Sequence, residues 1–340
     1  MNCQRLTRNL GPSGRNAVGA ALLLALGVAS VVAGGCGFGP AENGSFDKTL
    51  SVSGPARLEI TNPSGEVRIS GSATNQIKIR AEVHARGWLF QDGRKTLNEV
   101  TSNPPVEQSG NTIRIGKNFN GFRNVSIDYT IEVPSATEVD ASSASGTINI
   151  GKIHGPVKVN SASGSIRIEQ VEHSVQVNSA SGSVVVSDLG DDLRVSSASG
   201  SITATNVKGD TQVHSLSGST EVFSPGGRVT AETASGSIEI RGANNDVKSS
   251  SMSGSINVRG NPTDNSYWNL RTVSGSVNIA VPPSSAFHFT AEAVSGEIRT
   301  GVPIMIEEQG KHTLRARMGD GGGRVEVHTT SGEINVKPAS

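Results

Sequence analysis

From Ile148 onward the apolar residues repeat a fixed figure: an alternating pair, a singleton, then another alternating pair. In one period Ile166 and Ile168 form the first pair, Val171 is the singleton, and Val175 and Val177 form the second. The next periods supply Val184, Val186, Leu189, Leu193 and Val195, then Ile202, Ala204, Val207 and Val213. Each pair alternates with polar residues such as Arg167, Gln176 and Arg194, which is the pattern of a strand with one buried face. A helix would need apolar positions at threes and fours over about ten residues, and the many glycines and β-branched residues oppose it.

A second phrase, Ser-Gly-Ser-Ile and its variants, keeps time with the first. Its glycines are Gly146, Gly164, Gly182, Gly200, Gly218, Gly236 and Gly254, each 18 residues after the last. Two steps of 21 residues reach Gly275 and Gly296, and one of 36 reaches Gly332. A fixed period of this kind is the mark of a solenoid. Stacking each strand on its counterpart, about 4.8 Å away, predicts an all-β, single-chain parallel β-helix (β-solenoid) with about 18 residues per coil. The ten glycines are then structural turn residues, since glycine accepts positive φ at little cost. The serines read as turn chemistry. Ala144, Ala162, Ala180, Ala198 and Ala234 share a register with Leu216 and Met252, so this position is expected to pack inward or to lie in a shallow corner.

The flanks depart from the period. Residues 37–53 are rich in glycine and polar residues and read as a flexible tether. Residues 54–134 read as N-terminal β coils and a cap, and 135–338 as the repeat domain. Ser64-Gly65-Glu66-Val67 is a divergent copy of the phrase, and an insertion at 81–125 breaks the order. Strands around it are expected to be partly antiparallel, because a parallel stack needs its first edge covered. Trp88, Phe90, Phe119 and Phe122 either fill the core of that cap or form an interaction patch. Near the other end, Trp268 and Phe289 share one register and predict an internal stack, and a last unit from Val325 to Val336 closes the chain.

Arg5, Arg8 and Arg15 precede an apolar run from Ala17 to Ala33 that ends in Gly34-Gly35-Cys36. Residues 1–36 therefore read as a signal peptide. Small residues before a cysteine resemble a bacterial lipoprotein signal, which implies lipidation at Cys36; ordinary cleavage and an uncleaved anchor are the other readings. Gly37 after the cysteine resembles lipoproteins that leave the inner membrane, so an exported, lipid-anchored protein of the outer membrane or cell surface is expected. Cys3 and Cys36 are the two cysteines, so the folded part has no internal disulfide. Thirty basic and thirty acidic residues balance, with no basic stripe, which argues against nucleic acid.

Catalytic, metal and cofactor sites find little support. Asp188, Asp191 and Asp192 with Lys208 and Asp210 form an acidic cluster, which a solvated corner explains. The histidines from His154 to His328 are scattered, without ligand spacing. Gly319 to Gly323 precede a strand-like run rather than a helix, unlike a dinucleotide loop. The phrase Tyr129-Thr130-Ile131-Glu132-Val133-Pro134, followed by the Ser-Gly-Ser-Ile units, resembles a bacterial family of putative adhesins of unknown function over roughly residues 50–337. That resemblance implies a non-enzymatic, monomeric envelope protein that binds glycans, an envelope polymer or a protein partner. A polysaccharide-active β-helix enzyme and an envelope-stress accessory protein are the alternatives.

Overall fold

In a computed structural model, the structure describes residues 38–88, 93–117 and 125–339, and the side chains of 42–85, 93–117 and 125–339. The repeat is a two-sheet solenoid. Each 18-residue coil gives one strand to a 14-stranded sheet and the next to a 15-stranded sheet. Ile166–Val171 lies in the first sheet and Val175–Ser181 in the second. Their counterparts one coil on pair with them in parallel, Ile166 beside Val184 and Val175 beside Leu193. The apolar figure faces inward between the sheets, with Ile166, Ile168, Val171, Val175 and Val177 almost fully buried.

Two corners close each coil. At the Ser-Gly corner, Gly164 has φ +121°, and a Cβ there would lie 1.8 Å from the carbonyl oxygen of Gly146. Glycine is thus required both for its dihedral angle and because the backbones of adjacent coils touch. The opposite corner gave no signal in the sequence. There Lys152, Gln170, Asp188, Asn206 and Ser224 hold φ between 51° and 59° in five consecutive coils, and only at Gly242, φ 81°, does glycine take the position.

Both ends of the stack are threaded out of sequence order. At the N-terminal end the coil of Arg57–Ser64 and Val67–Ser72 lies between the strand Val125–Pro134 and the first regular coil. Beyond Val125–Pro134, Gln76–Trp88 and then Phe38–Ser51 add antiparallel strands. The polar stretch expected to be a tether is thus mostly strand. Among its described side chains only Phe46, Leu50 and Val52 are larger apolar members of the inward face, and Phe46 meets the Tyr129 ring edge-on at 6.4 Å, so composition concealed it. Within the insertion, Gly93–Ser102 is a helix that buries Leu97 and Val100 against this hairpin. Two apolar residues in a polar segment were too few to announce it.

At the C-terminal end Gly323–Ser331 slots between Tyr267–Ser274 and Phe287–Ser295, and Ile334–Pro338 between Val277–Val281 and Ile298–Thr300. The last coil in sequence is therefore internal in space. Trp268 and Phe289 share a register, but Val325 stands between them. The expected aromatic stack is replaced by separate packing: Trp268 donates Nε1–H to the Asn245 carbonyl at 2.8 Å, and Phe289 meets Phe287 edge-on. The hairpin of Met305–Gln309 and Thr313–Met318 covers the exposed edge, antiparallel.

Candidate functional site

In strands of the second sheet the pleat sends Val175, Val177 and Ser179 inward and Gln176, Asn178 and Ala180 outward. The inward serine does not reach across the core. In four consecutive coils, at Ser161, Ser179, Ser197 and Ser215, its hydroxyl donates to the carbonyl two residues on, as in Ser179 to Ser181 at 3.2 Å and Ser215 to Ser217 at 3.1 Å, while Ser251 donates to the Gly236 carbonyl of the neighbouring coil at 3.4 Å. A buried hydroxyl satisfied by its own backbone lets the strand bend without orphaning a polar group. Outside this bend runs an open groove of about 1170 Å³, parallel to the stack, from Thr61 to Met252.

Each coil offers the groove the same three positions. The first is a polar rail. Asn178 donates Nδ2–H to Asn160 at 3.0 Å, and further along His214 and Lys248 both meet Glu232, at 3.2 and 2.9 Å. The hydrogen bond from Lys248 holds the Glu232 carboxyl below the usual range; partial burial opposes it, and the charges of Lys248 and His214 add to it. The third position is the alanine register, and it faces out. Leu216 and Met252 are each 63% exposed, and Val273 and Val294 continue the line at 51% and 50%. Inward packing of this register is thereby corrected: the serine before it takes the inward site, so alternation turns the next side chain to solvent. The groove is neutral and lined by small side chains toward Thr61, and ridged and charged from His214 onward.

The acidic cluster has a backbone role that sequence reasoning missed. Asp192 Oδ1 accepts the backbone N–H of Asp210 at 2.8 Å, Asp210 accepts that of Arg228 at 2.9 Å, and Asp246 accepts that of Tyr267 at 2.9 Å. Each carboxylate caps the next coil, and Asp188 accepts from Asn206 at 2.9 Å beside a smaller hollow of about 500 Å³. The signal was present as aspartates in one register, Asp192 and Asp210 one coil apart and Asp246 two coils further on. Four histidines, His84, His154, His214 and His328, each pair with one carboxylate, on a neighbouring strand for His84, His214 and His328 and at the corner of the neighbouring coil for His154. Among the described residues no three His, Cys, Asp or Glu side chains gather as a metal site.

Cys36, Phe90, Phe119 and Phe122 lie outside the described residues, and so does the side chain of Trp88. No helix among the described residues is long and apolar enough to cross a membrane. The ten phrase glycines, from Gly146 to Gly332, all have positive φ and line one corner.

Three solved structures are similar to this chain. One is described as a putative cell adhesion protein from Clostridium sporogenes, at 12% identity and TM-score 0.25, covering 88% of this chain and 100% of that one. Another is a putative lipid binding protein from Parabacteroides distasonis, at 16% identity and TM-score 0.38, covering 86% and 96%. A third is a putative adhesin from Bacteroides fragilis, at 14% identity and TM-score 0.26, covering 86% and 97%. No curated protein matches. Residues 43–337 match the family model described as Toastrack DUF4097, and the chain belongs to that family.

Proposed function

We propose that this Toastrack protein is a non-enzymatic binding scaffold of the bacterial cell envelope, exported and held to a membrane through lipid on Cys36. Its ligand is an elongated polymer, a glycan strand or an extended polypeptide, laid along the groove. One observation carries this reading. The groove presents equivalent polar and apolar positions once per coil, about 4.8 Å apart, so successive coils meet successive units of a linear ligand. Many weak equivalent contacts then combine, and a rigid stack spends little entropy in ordering them. The N-terminal signal pattern supports export, and Gly37 after the cysteine supports release from the inner membrane to the outer membrane or surface.

The test is a binding screen of the purified protein against envelope glycans and extended peptides, with Ala162→Arg and Ala180→Arg as controls that fill the groove. Both alanines face outward, so the fold is expected to survive, as circular dichroism would show. Binding that weakens with each filled coil supports the reading. Binding indifferent to both substitutions, or found only through residues 81–125, overturns it.

A further inference from the structure

The charged half of this surface is complementary to itself. Counting coils in their spatial order from His214, the polar rail reads His214, Glu232, Ser250, Arg271, His328, Glu292. Turned end for end and laid on itself, it sets His214 against Glu292, Glu232 against His328, and Ser250 against Arg271. The apolar rail over the same six coils behaves alike. Leu216 meets Val294, Ala234 meets Thr330, and Met252 meets Val273, so projecting side chains face each other at four coils and small ones at the remaining two. On the third outward rail Lys248 meets Asn269 and Glu326 meets Thr230, so no like charges oppose within these six coils; Arg194 and Arg315, both exposed one strand beyond, are the like charges at its margin. We infer that two copies of this chain associate antiparallel through these six coils, about a two-fold axis lying between the coils of Ser250 and Arg271.

A two-fold of this kind makes every contact twice, as isologous interfaces do. Six coils at about 4.8 Å and three rails at roughly 7 Å give a patch on the order of 600 Å² per copy, at the low end for a specific complex and suited to a reversible dimer. The monomer expected from the sequence is then the dilute form. The twin's edge strands Thr313–Met318 and Met305–Gln309 lie over the Ser196 and Asn178 coils, and the neutral part of each groove from Thr61 to Asn160 extends past its twin, so the pair presents two grooves rather than one. The association does not depend on any polymer ligand.

Sedimentation equilibrium on the purified chain, up to about 1 mM, reads an association free energy as small as roughly −4 kcal/mol. Met252→Asp is expected to abolish the dimer. Glu232→Lys and His328→Glu are each expected to weaken it about tenfold, the first by removing the carboxylate that faces His328 and the second by setting carboxylates at 232 and 328 against each other, in both cases twice across the axis. Mixed together, the two single variants are expected to form a heterodimer tighter than either homodimer, because the new positive charge at position 232 of one copy then faces the new negative charge at position 328 of the other. Within one chain these positions are three coils apart, about 14 Å, too far for direct pairing. A chain that stays monomeric throughout, or a mixture that shows no heterodimer preference, overturns the inference.

Discussion

Ile334 lies six residues from the chain's end yet is fully buried, and it is paired on both sides, with Val277 and with Ile298. Ile298, 36 residues earlier, is half-buried on the last strand of the first sheet. Removing three carbons from the enclosed site leaves a cavity walled by two fixed strands, so Ile334→Ala is expected to cost about 2–5 kcal/mol. Ile298→Ala, at an edge that can relax into solvent, is expected to cost about 1 kcal/mol. Solenoids can lose coils separately, so a local readout is the better assay. In hydrogen exchange, the amides of Val277 and Ile334, bonded to Glu333 and Glu297 carbonyls at 2.9 Å, report the two interfaces of the inserted strand. Ile334→Ala should speed exchange at both, and Ile298→Ala at Ile334 and its neighbours only. Equal costs for the two substitutions, or a larger cost at Ile298, would refute the threaded topology, because coils stacked in sequence order would make Ile334 the edge.

Four further outcomes follow from the corners, the core and the rail. Gly182→Ala would set a Cβ 2.0 Å from the Gly164 carbonyl oxygen at φ +112°, and is expected to cost about 3 kcal/mol or more in thermal or urea unfolding. Gln170→Gly, at φ 56° on the opposite corner, is expected to stabilise by roughly 0.5–1 kcal/mol in the same assay. Tyr129 buries its hydroxyl without a partner, and burial pushes its phenol above the ordinary range; Tyr129→Phe should raise the melting temperature, by about 1 kcal/mol or more of stability. Glu232, whose carboxyl is held low chiefly by Lys248, contributes stability that is fully present above the ordinary value of 4.5 and lost as pH falls through its folded value. Glu232→Gln should therefore flatten the stability curve below pH 4.5 and leave its slope at neutral pH unchanged.

The middle of this molecule was legible in its letters. An 18-residue period repeated without interruption admits one arrangement, because like side chains stack at one strand spacing, and the alternation in Ile166, Ile168, Val175 and Val177 states which face is dry. The phrase glycines could be assigned to a corner for the same local reason. The left-handed corner could not, since Lys152, Gln170 and Asp188 carry no mark of φ; stacking on the neighbouring coil imposes it. Nor could the outward turn of Leu216 and Met252, which depends on Ser215 and Ser251 taking the inward place with their hydroxyls bonded to the Ser217 and Gly236 carbonyls.

What tertiary structure alone decided is the order of coils at the two ends, and with it the surface. Parallel pairing rewards any strand of the right length and alternation that lies alongside, so a late coil can fill a gap that an earlier one left open, provided the connection reaches. Val325 between Trp268 and Phe289 is such a case. Sequence supplies the period, but only the packed stack fixes which coils are neighbours. For that reason the facing sequence His214, Glu232, Ser250, Arg271, His328, Glu292, in which residue 328 precedes 292, does not exist until the chain has folded.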